Sequence, residues 1–179
     1  MKIAASARVG PYRQALGHLF RAYKFHDRDE LHPLLADWLV EAVRAAPWLD
    51  RVEAVTCVPT HWLRRLDRKF HAAEVLAAHV ARRLEKPYVS ILRRVRAGRH
   101  QLGLSYAQRA ANVRGAFALV DGVKLHKARV LLVDDVRTTG ATIEECAKVL
   151  RRGGAADVYA AVVLSASHTS AGNRVLGSI

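Results

Sequence analysis

The chain has 179 residues, a formal net charge of +13 and a hydrophobic content of 51%. This length and composition fit one globular domain. The lack of an apolar run of about 18 residues excludes a membrane-spanning helix. The N-terminus is too weakly apolar for a good secretory signal. The positive charge favours polyanionic partners, and two cysteines without a Cys-x-x-Cys pair exclude a zinc ribbon or dithiol site and predict a cytoplasmic protein without zinc.

Apolar residues follow two patterns along the chain. Helical spacing predicts helices, and short apolar runs bounded by proline or glycine predict strands. The predicted helices cover residues 12–25, 31–46 and 70–84, and a fourth begins at Thr142 and ends at Gly153. The predicted strands cover residues 52–58, 88–92, 116–120, 130–133 and 158–164. Cys57 and Cys146 fall on the apolar sides of these elements, which predicts that both are core residues.

Strands that alternate with helices are typical of an α/β fold with a parallel sheet and right-handed crossovers. The first two helices can form a cap over one edge of that sheet. We therefore divide the chain into an N-terminal helical cap of residues 1–50 and an α/β domain of residues 51–179, and expect the two to form one compact unit. Ligands of such sheets bind beyond the carboxyl ends of the strands, which directs attention to the loops after residues 58 and 133.

The most informative segment is the run VLLVDDVRTTGAT at residues 130–142. Its four apolar residues predict a buried parallel strand, and Asp134 and Asp135 stand where that strand ends. Thr142 is predicted to be the N-cap of the next helix, with Glu145 at the spacing of a capping box. N–H groups at a helix start hold phosphate, and carboxylates accept hydrogen bonds from sugar hydroxyls or bind Mg²⁺. The run predicts a site for an anion attached to a polyol; the alternative is an ordinary strand, turn and capped helix.

The same run resembles the phosphoribosyl-pyrophosphate (PRPP) signature of the type I phosphoribosyltransferases, which implies their parallel-sheet fold. By that resemblance Asp134 and Asp135 are the candidate catalytic residues and hold the ribose 2′- and 3′-hydroxyls, while the loop wraps the 5′-phosphate. The residues that the resemblance assigns to PRPP are Asp134, Asp135, Arg137, Thr138, Thr139, Gly140, Ala141 and Thr142. Mg²⁺ is expected to bind with PRPP, and only Asp134 and Asp135 are candidates for direct contact with it. Arg137 either strengthens anion binding or points to solvent.

A cationic segment follows the predicted strand at residues 52–58. A strand-to-helix loop with several arginines offers a pyrophosphate group a cluster of hydrogen-bond donors. Its position resembles that of the pyrophosphate loop of the same family, one crossover ahead of the strand that carries the two aspartates. The candidate residues of this loop are Pro59, Thr60, His61, Arg64 and Arg65. The alternative is a basic helix start that only solvates the surface.

Residues 93–114 hold many arginines and no acidic residue. Such a stretch is either a solvated loop or a lid that closes over an anionic ligand. The candidate lid residues are Arg93, Arg94, Gln101, Arg109 and Asn112. As a lid, Arg109 would clamp the leaving pyrophosphate, and Gln101 or Asn112 would meet a base edge. In the alternative, Asn112 caps a turn and Gln101 is exposed.

Three further pieces narrow the resemblance to the competence protein F (ComF) branch: Tyr23-Lys24-Phe25, the segment of residues 58–70, and the segment of residues 93–117. The cysteine-rich zinc module usual in that branch is absent, and residues 68–72 lack its glycine and amides. The resemblance implies Mg²⁺-dependent transfer of a phosphoribosyl group to an unknown nitrogen acceptor with release of pyrophosphate. The alternative is a non-catalytic DNA-uptake factor that binds single-stranded DNA or a DNA-processing partner. A homodimer is also implied, and no membrane partner.

Overall fold

A computed structural model describes residues 2–11, 16–20, 29–59, 71–96 and 106–166 of the chain. The strands in these ranges are β1 (Ala5–Pro11), β2 (Ala54–Cys57), β3 (Leu92–Arg94), β4 (Phe117–Leu119), β5 (Arg129–Arg137) and β6 (Asp157–Ser165). The α-helices are α1 (His32–Arg44), α2 (Ala72–Arg83), α3 (Tyr106–Val113) and α4 (Ala141–Arg152). Residues 16–20 are also helical, and short 3₁₀ helices lie at Asp29–Leu31 and Leu49–Arg51.

The central sheet is parallel, with strand order β1-β6-β5-β2. Leu131 of β5 faces α1 and α2 on one side of the sheet. Leu132 faces α3, α4 and the two-stranded antiparallel sheet of β3 and β4 on the other side. Both leucines are fully buried, and burial of such a side chain contributes about 1.5–3 kcal/mol to folding. Helices on both faces explain why β5 is a continuous apolar run rather than an alternating one.

Aromatic packing joins the connection after α1 to the middle of the sheet. The ring of Trp48 stacks on that of Tyr159 of β6, with ring centroids 4.7 Å apart and planes 8° from parallel. Both residues belong to the core cluster that α1 and α2 form against the sheet. The residues that follow α1 are therefore anchored where the chain enters β2.

The parallel α/β fold predicted from the sequence is confirmed, and α1 supplies the helical part expected near the N-terminus. Strands β2, β4 and β6 and helices α1, α2 and α4 lie within a few residues of the predicted positions. Cys57 and Cys146 are both buried and both carry free thiols, as predicted. No helix in the described ranges is long and apolar enough to cross a membrane.

Two elements differ from prediction. The apolar pattern of the sequence predicts no strand in the first eleven residues, yet β1 pairs with β6 in the sheet. β1 is an edge strand, and Ser6 and Arg8 interrupt its apolar residues, so it lacks the run that marked β5. The strand predicted at residues 88–92 begins later than expected. Tyr88 makes only an isolated bridge to Val55, and regular pairing begins at Leu92, in the two-stranded sheet of β3 and β4. The predicted helix at residues 12–25 is described only at residues 16–20, where it is helical, and the division at residue 50 stays a prediction.

Candidate functional site

The two predicted carboxylates lie near the carboxyl end of β5, inside the strand rather than after it. β5 continues to Arg137 because its last residues still pair with β6, with Asp134 opposite Val162 and Arg137 opposite Ser165. On the other side of β5, the N–H of Val58 donates to the carbonyl oxygen of Val133 at 2.9 Å. The end of β2, and the loop that follows it, therefore lie beside Asp134.

Asp134 and Asp135 point to different faces of the sheet because successive residues of a strand alternate. Asp134 shares the face of Leu132, against which α4 packs. The charge of Asp134 also acts on the buried thiol of Cys146 on α4. Burial raises the pKa of this thiol well above its ordinary value, and the negative charge of Asp134 raises it further. The N–H of Asp135 donates to Oδ1 of Asp134 at 2.9 Å, which fixes the carboxylate of Asp134 relative to the backbone.

A small polar pocket lies at the junction of β5 and α4. The residues that line it are Asp134, Val136, Arg137, Thr138, Thr139, Gly140, Ala141, Thr142 and Ile143. All the predicted PRPP residues except Asp135 are thus brought together around one cavity. The apolar members, Val136 and Ile143, were not predicted as site residues, since nothing in their chemistry distinguishes them from core residues.

The start of α4 presents backbone donors to this pocket. Gly140 is the N-cap residue, with a φ of 79°, and its carbonyl oxygen accepts the first helical hydrogen bond, from the N–H of Glu144 at 2.9 Å. Oγ1 of Thr139 accepts a long hydrogen bond of 3.3 Å from the N–H of Ala141. In the described part of the chain, the N–H groups of Thr142 and Ile143 have no acceptor. Uncommitted donors at the positive end of a helix favour an anion.

The predicted capping box is wrong. The positive φ of Gly140 starts α4 before Thr142, so Thr142 already has a helical position and cannot be the N-cap. Glu145 does not reach back to the helix start. Its Oε1 accepts a hydrogen bond of 2.9 Å from the N–H of Gly115, and its Oε2 lies 3.5 Å from Nζ of Lys148. This carboxylate therefore ties the segment after α3 to α4.

The predicted pyrophosphate loop is described only at its first residue. Pro59 lines an open cleft between the end of β2, the start of α2 and the two-stranded sheet of β3 and β4. Thr60, His61, Arg64 and Arg65 lie outside the described residues, as do Tyr23, Lys24 and Phe25. Pro59 shares this cleft with two residues of the predicted lid, so the two cationic segments of the sequence begin at one cavity.

Those two lid residues, Arg93 and Arg94, make hydrogen bonds and ring contacts within and around the two-stranded sheet of β3 and β4. The guanidinium of Arg93 donates to the carbonyl oxygen of Leu119 at 3.1 Å and to Oδ1 of Asp121 at 2.9 Å. Nε of Arg94 donates to the carbonyl oxygen of Arg96 at 3.1 Å, and its Cζ lies 5.4 Å from the centre of the Phe117 ring.

The remaining lid candidates are spread over different parts of the chain. Asn112 is half-buried near the end of α3, and Arg109 belongs to the same helix. Gln101 lies outside the described residues. The segment predicted to be irregular therefore contains regular structure at both of its described ends.

Other residues that line or border the cleft carry no sequence motif that marks them as site residues. The hydroxyl of Tyr88 lies 3.4 Å from the thiol sulfur of Cys57, which lines the cleft with His71 and Glu74 of the α2 start. Burial raises the pKa of Tyr88 above its ordinary value, and the contact with Cys57 raises it further. Only the tertiary fold brings these residues together, so no local sequence signal could have identified them.

The described residues contain no group of three or more His, Cys, Asp or Glu side chains that could hold a metal ion. A pair of carboxylates without a third ligand still suits Mg²⁺, because this ion is commonly bound through one or two carboxylates together with substrate phosphates. Asp134 and Asp135 are oxygen donors of that kind, at the carboxyl end of a parallel strand.

Comparison with known proteins gives consistent results. The family model described as the phosphoribosyl transferase domain matches residues 71–174. Competence protein F of Haemophilus influenzae is 34% identical over 155 residues, which cover 84% of this chain and 68% of that protein. The DNA utilization protein YhgH of Salmonella typhimurium is 35% identical over 155 residues, covering 84% and 67% of the two chains. Among solved structures, adenine phosphoribosyltransferase of Leishmania tarentolae superimposes with a TM-score of 0.52 at 14% identity, covering 89% of this chain and 91% of that one, which is a likeness of fold.

Proposed function

The chain belongs to the type I phosphoribosyltransferase family, in its ComF-like branch, and on this premise we propose that it binds PRPP with Mg²⁺ and transfers the phosphoribosyl group to a nitrogen acceptor. The observation that carries the proposal is the pocket where β5 meets α4. There, Asp134 and the uncommitted N–H groups of Thr142 and Ile143 line or border one small polar cavity. A sugar phosphate has the matching groups, hydroxyls for the carboxylate and an anion for the helix start.

The chain's residues would act mainly by positioning and by charge. The loop of residues 138–142 holds the 5′-phosphate, and Asp134 and Asp135 accept hydrogen bonds from the ribose hydroxyls. The nitrogen nucleophile forms a bond to C1 of the ribose while the bond from C1 to the pyrophosphate oxygen breaks, and pyrophosphate leaves with the electron pair. The two carboxylates stabilise the positive charge that develops on the ribose in this step.

Mg²⁺ would be held by the pyrophosphate of PRPP and by Asp134 or Asp135, and it would neutralise the charge of the leaving group. Cations of the pyrophosphate loop and of the lid would contribute to the same task. The cleft that joins Pro59 to Arg93 and Arg94 supports this assignment, because it lies where β2 ends beside β5. We propose a cytoplasmic location from the cysteine content of the sequence, and a homodimer from the family resemblance alone.

Calorimetry of PRPP with Mg²⁺ tests the pocket. Asp134→Asn and Asp135→Asn should each weaken binding by about 10- to 100-fold, because each removes a charged hydrogen-bond acceptor worth about 1.5–3 kcal/mol. Asp50→Asn removes the same charge from an exposed 3₁₀ turn at the amino end of β2 and should bind PRPP as the wild type does. Failure of the wild type to bind PRPP would refute the proposal.

Turnover needs a separate measurement. Release of pyrophosphate from PRPP, screened across nucleobases and other nitrogen acceptors, identifies the acceptor if the protein is an enzyme. Binding of PRPP without pyrophosphate release from any acceptor would restrict the function to PRPP recognition.

A second candidate function is participation in DNA uptake as a non-catalytic factor. The names of the two relatives, competence protein F and DNA utilization protein, favour it, and the charge of +13 suits a nucleic-acid partner. In that case the chain binds single-stranded DNA or a DNA-processing protein. Binding to single-stranded DNA should weaken steeply with salt, with a slope of about −0.7 in log–log units for each phosphate contacted. No measurable binding at low salt would leave only a protein partner.

A further inference from the structure

Arg137, the last residue of β5, turns its side chain back onto the phosphate loop. A Cβ atom built on Gly140 would lie 2.9 Å from Nε and 3.4 Å from Nη2 of Arg137, so the guanidinium packs directly against the glycine backbone. Nε is buried, and it has no hydrogen-bond partner among the described residues. Of the two alternatives left open by the sequence, this geometry excludes a side chain that simply extends into solvent.

The charge balance of the pocket gives this placement a consequence. Asp134 contributes a full negative charge to the lining, whereas the start of α4 contributes only about half a positive charge. The charge of Asp134 therefore offsets the attraction of the helix start for an anion. Arg137 is the one cationic side chain among the described residues that line the cavity, and it makes the local balance positive.

The buried Nε–H also has no acceptor among the residues that the structure describes. A buried donor without a partner is unfavourable, and more so when its group is charged. An anion at the start of α4 would lie against the same loop and could accept this hydrogen bond. The fold thus places this Nε–H, which has no protein acceptor among the described residues, in the same pocket region as the backbone donors of Thr142 and Ile143.

We propose that Arg137 is a specificity residue that makes this pocket select the dianionic phosphate of a 5-phosphorylated pentose, through a hydrogen bond from Nε. The inference rests on the proposed function, since it concerns the same pocket. It goes further by assigning the discrimination between phosphate charge states to one side chain. Arg137 can pack against the loop in this position because residue 140 has no Cβ.

The test is calorimetry of the whole chain with ribose 5-phosphate at constant ionic strength, between pH 5 and pH 7.5. The second ionisation of a phosphate monoester has a pKa of about 6, whereas carboxyl and guanidinium groups ordinarily titrate far from that value. The wild type should therefore bind more tightly as the pH rises through 6. Arg137→Met should bind about 10- to 100-fold more weakly at pH 7.5, with a flatter pH profile.

Two further variants separate the causes. Arg137→Lys keeps the charge but has no Nε–H, and it should recover only part of the affinity. Arg129→Met removes the same charge from the other end of β5, where Arg129 pairs with Glu53, and it should bind as the wild type does. Equal affinities and pH profiles for the wild type and Arg137→Met would overturn the inference while leaving the proposed function intact. Full recovery by Arg137→Lys would overturn the role of Nε, and a wild type that binds neither ribose 5-phosphate nor PRPP would instead overturn the proposed function.

Discussion

Gly140 offers the sharpest test of how the phosphate loop is built, because two independent constraints act on this residue. Its φ of 79° lies in the left-handed region, and a Cβ there would approach Nε of Arg137 to 2.9 Å. Gly122 has a φ of 81° but nothing within 4 Å of the corresponding position. The chain therefore provides a matched control in which only the backbone constraint is present.

The magnitudes follow from these distances. Left-handed backbone costs a residue other than glycine about 1–2 kcal/mol, so Gly122→Ala should lower the free energy of unfolding by about that amount. Gly140→Ala should pay the same backbone cost and about 1 kcal/mol more, the lower end for overpacking, because the Arg137 side chain can move. A loss of about 2–3 kcal/mol corresponds to a fall in Tm of roughly 4–12 °C for a domain of this size.

Urea denaturation of the two alanine variants measures the difference, and the double variant Gly140→Ala with Arg137→Met measures its cause. Truncation of Arg137 should restore about 1 kcal/mol to Gly140→Ala, so that the double variant resembles Gly122→Ala. Equal losses for Gly140→Ala and Gly122→Ala, or additive effects in the double variant, would show that the guanidinium does not pack on the loop.

Three other expectations concern the stability of the fold. Leu132→Ala in the fully buried centre of β5 should cost about 2–5 kcal/mol in urea denaturation, with an unchanged m-value. Thr142→Ala should change the free energy of unfolding by less than about 0.5 kcal/mol, because Gly140 and not Thr142 is the N-cap; a loss near 1 kcal/mol would restore the capping box. The hydrogen bond of 2.8 Å from His79 lowers the pKa of Asp37 below its ordinary value of 3.8. This hydrogen bond should stabilise the folded protein fully above pH 3.8, and the stabilisation should be lost as the pH falls through the lower pKa of Asp37 in the folded state. In an acid titration of stability, Asp37→Asn should lack this loss.

The central strand and its helix could be predicted from sequence because their determinants are local. Four consecutive apolar residues require cover on both faces, and the glycines after residue 152 end α4 as expected. β1 could not be predicted in this way. Its pairing with β6 joins residues more than 150 positions apart, and Arg8 interrupts the apolar pattern that identifies a strand locally.

The site shows the same division at finer scale. Aspartates at the end of a strand and threonines before a helix predict a polar site, and the structure brings these residues, except Asp135, together around one pocket. The identity of the N-cap was not predictable from residue types, because Thr142 is a good N-cap and only the left-handed backbone of Gly140 moves the helix start ahead of it. The packing of the Arg137 side chain on the loop depends on the missing Cβ of the same residue, so Gly140 contributes to both features.

In the proposed function, recognition of the sugar phosphate and release of pyrophosphate would depend on different parts of this molecule. The proposed ribose phosphate site is contained in one continuous segment from Asp134 to Ile143, whose residues belong to β5, to α4 or to the loop between them. The pyrophosphate would depend instead on cations around the second cleft, where Arg93 is already paired with Asp121. The ratio of the affinities for PRPP and ribose 5-phosphate therefore isolates the contribution of that cleft. A ratio near one would describe a protein that recognises the ribose phosphate alone, whereas a large ratio would require cations that bind the pyrophosphate as a transferase must.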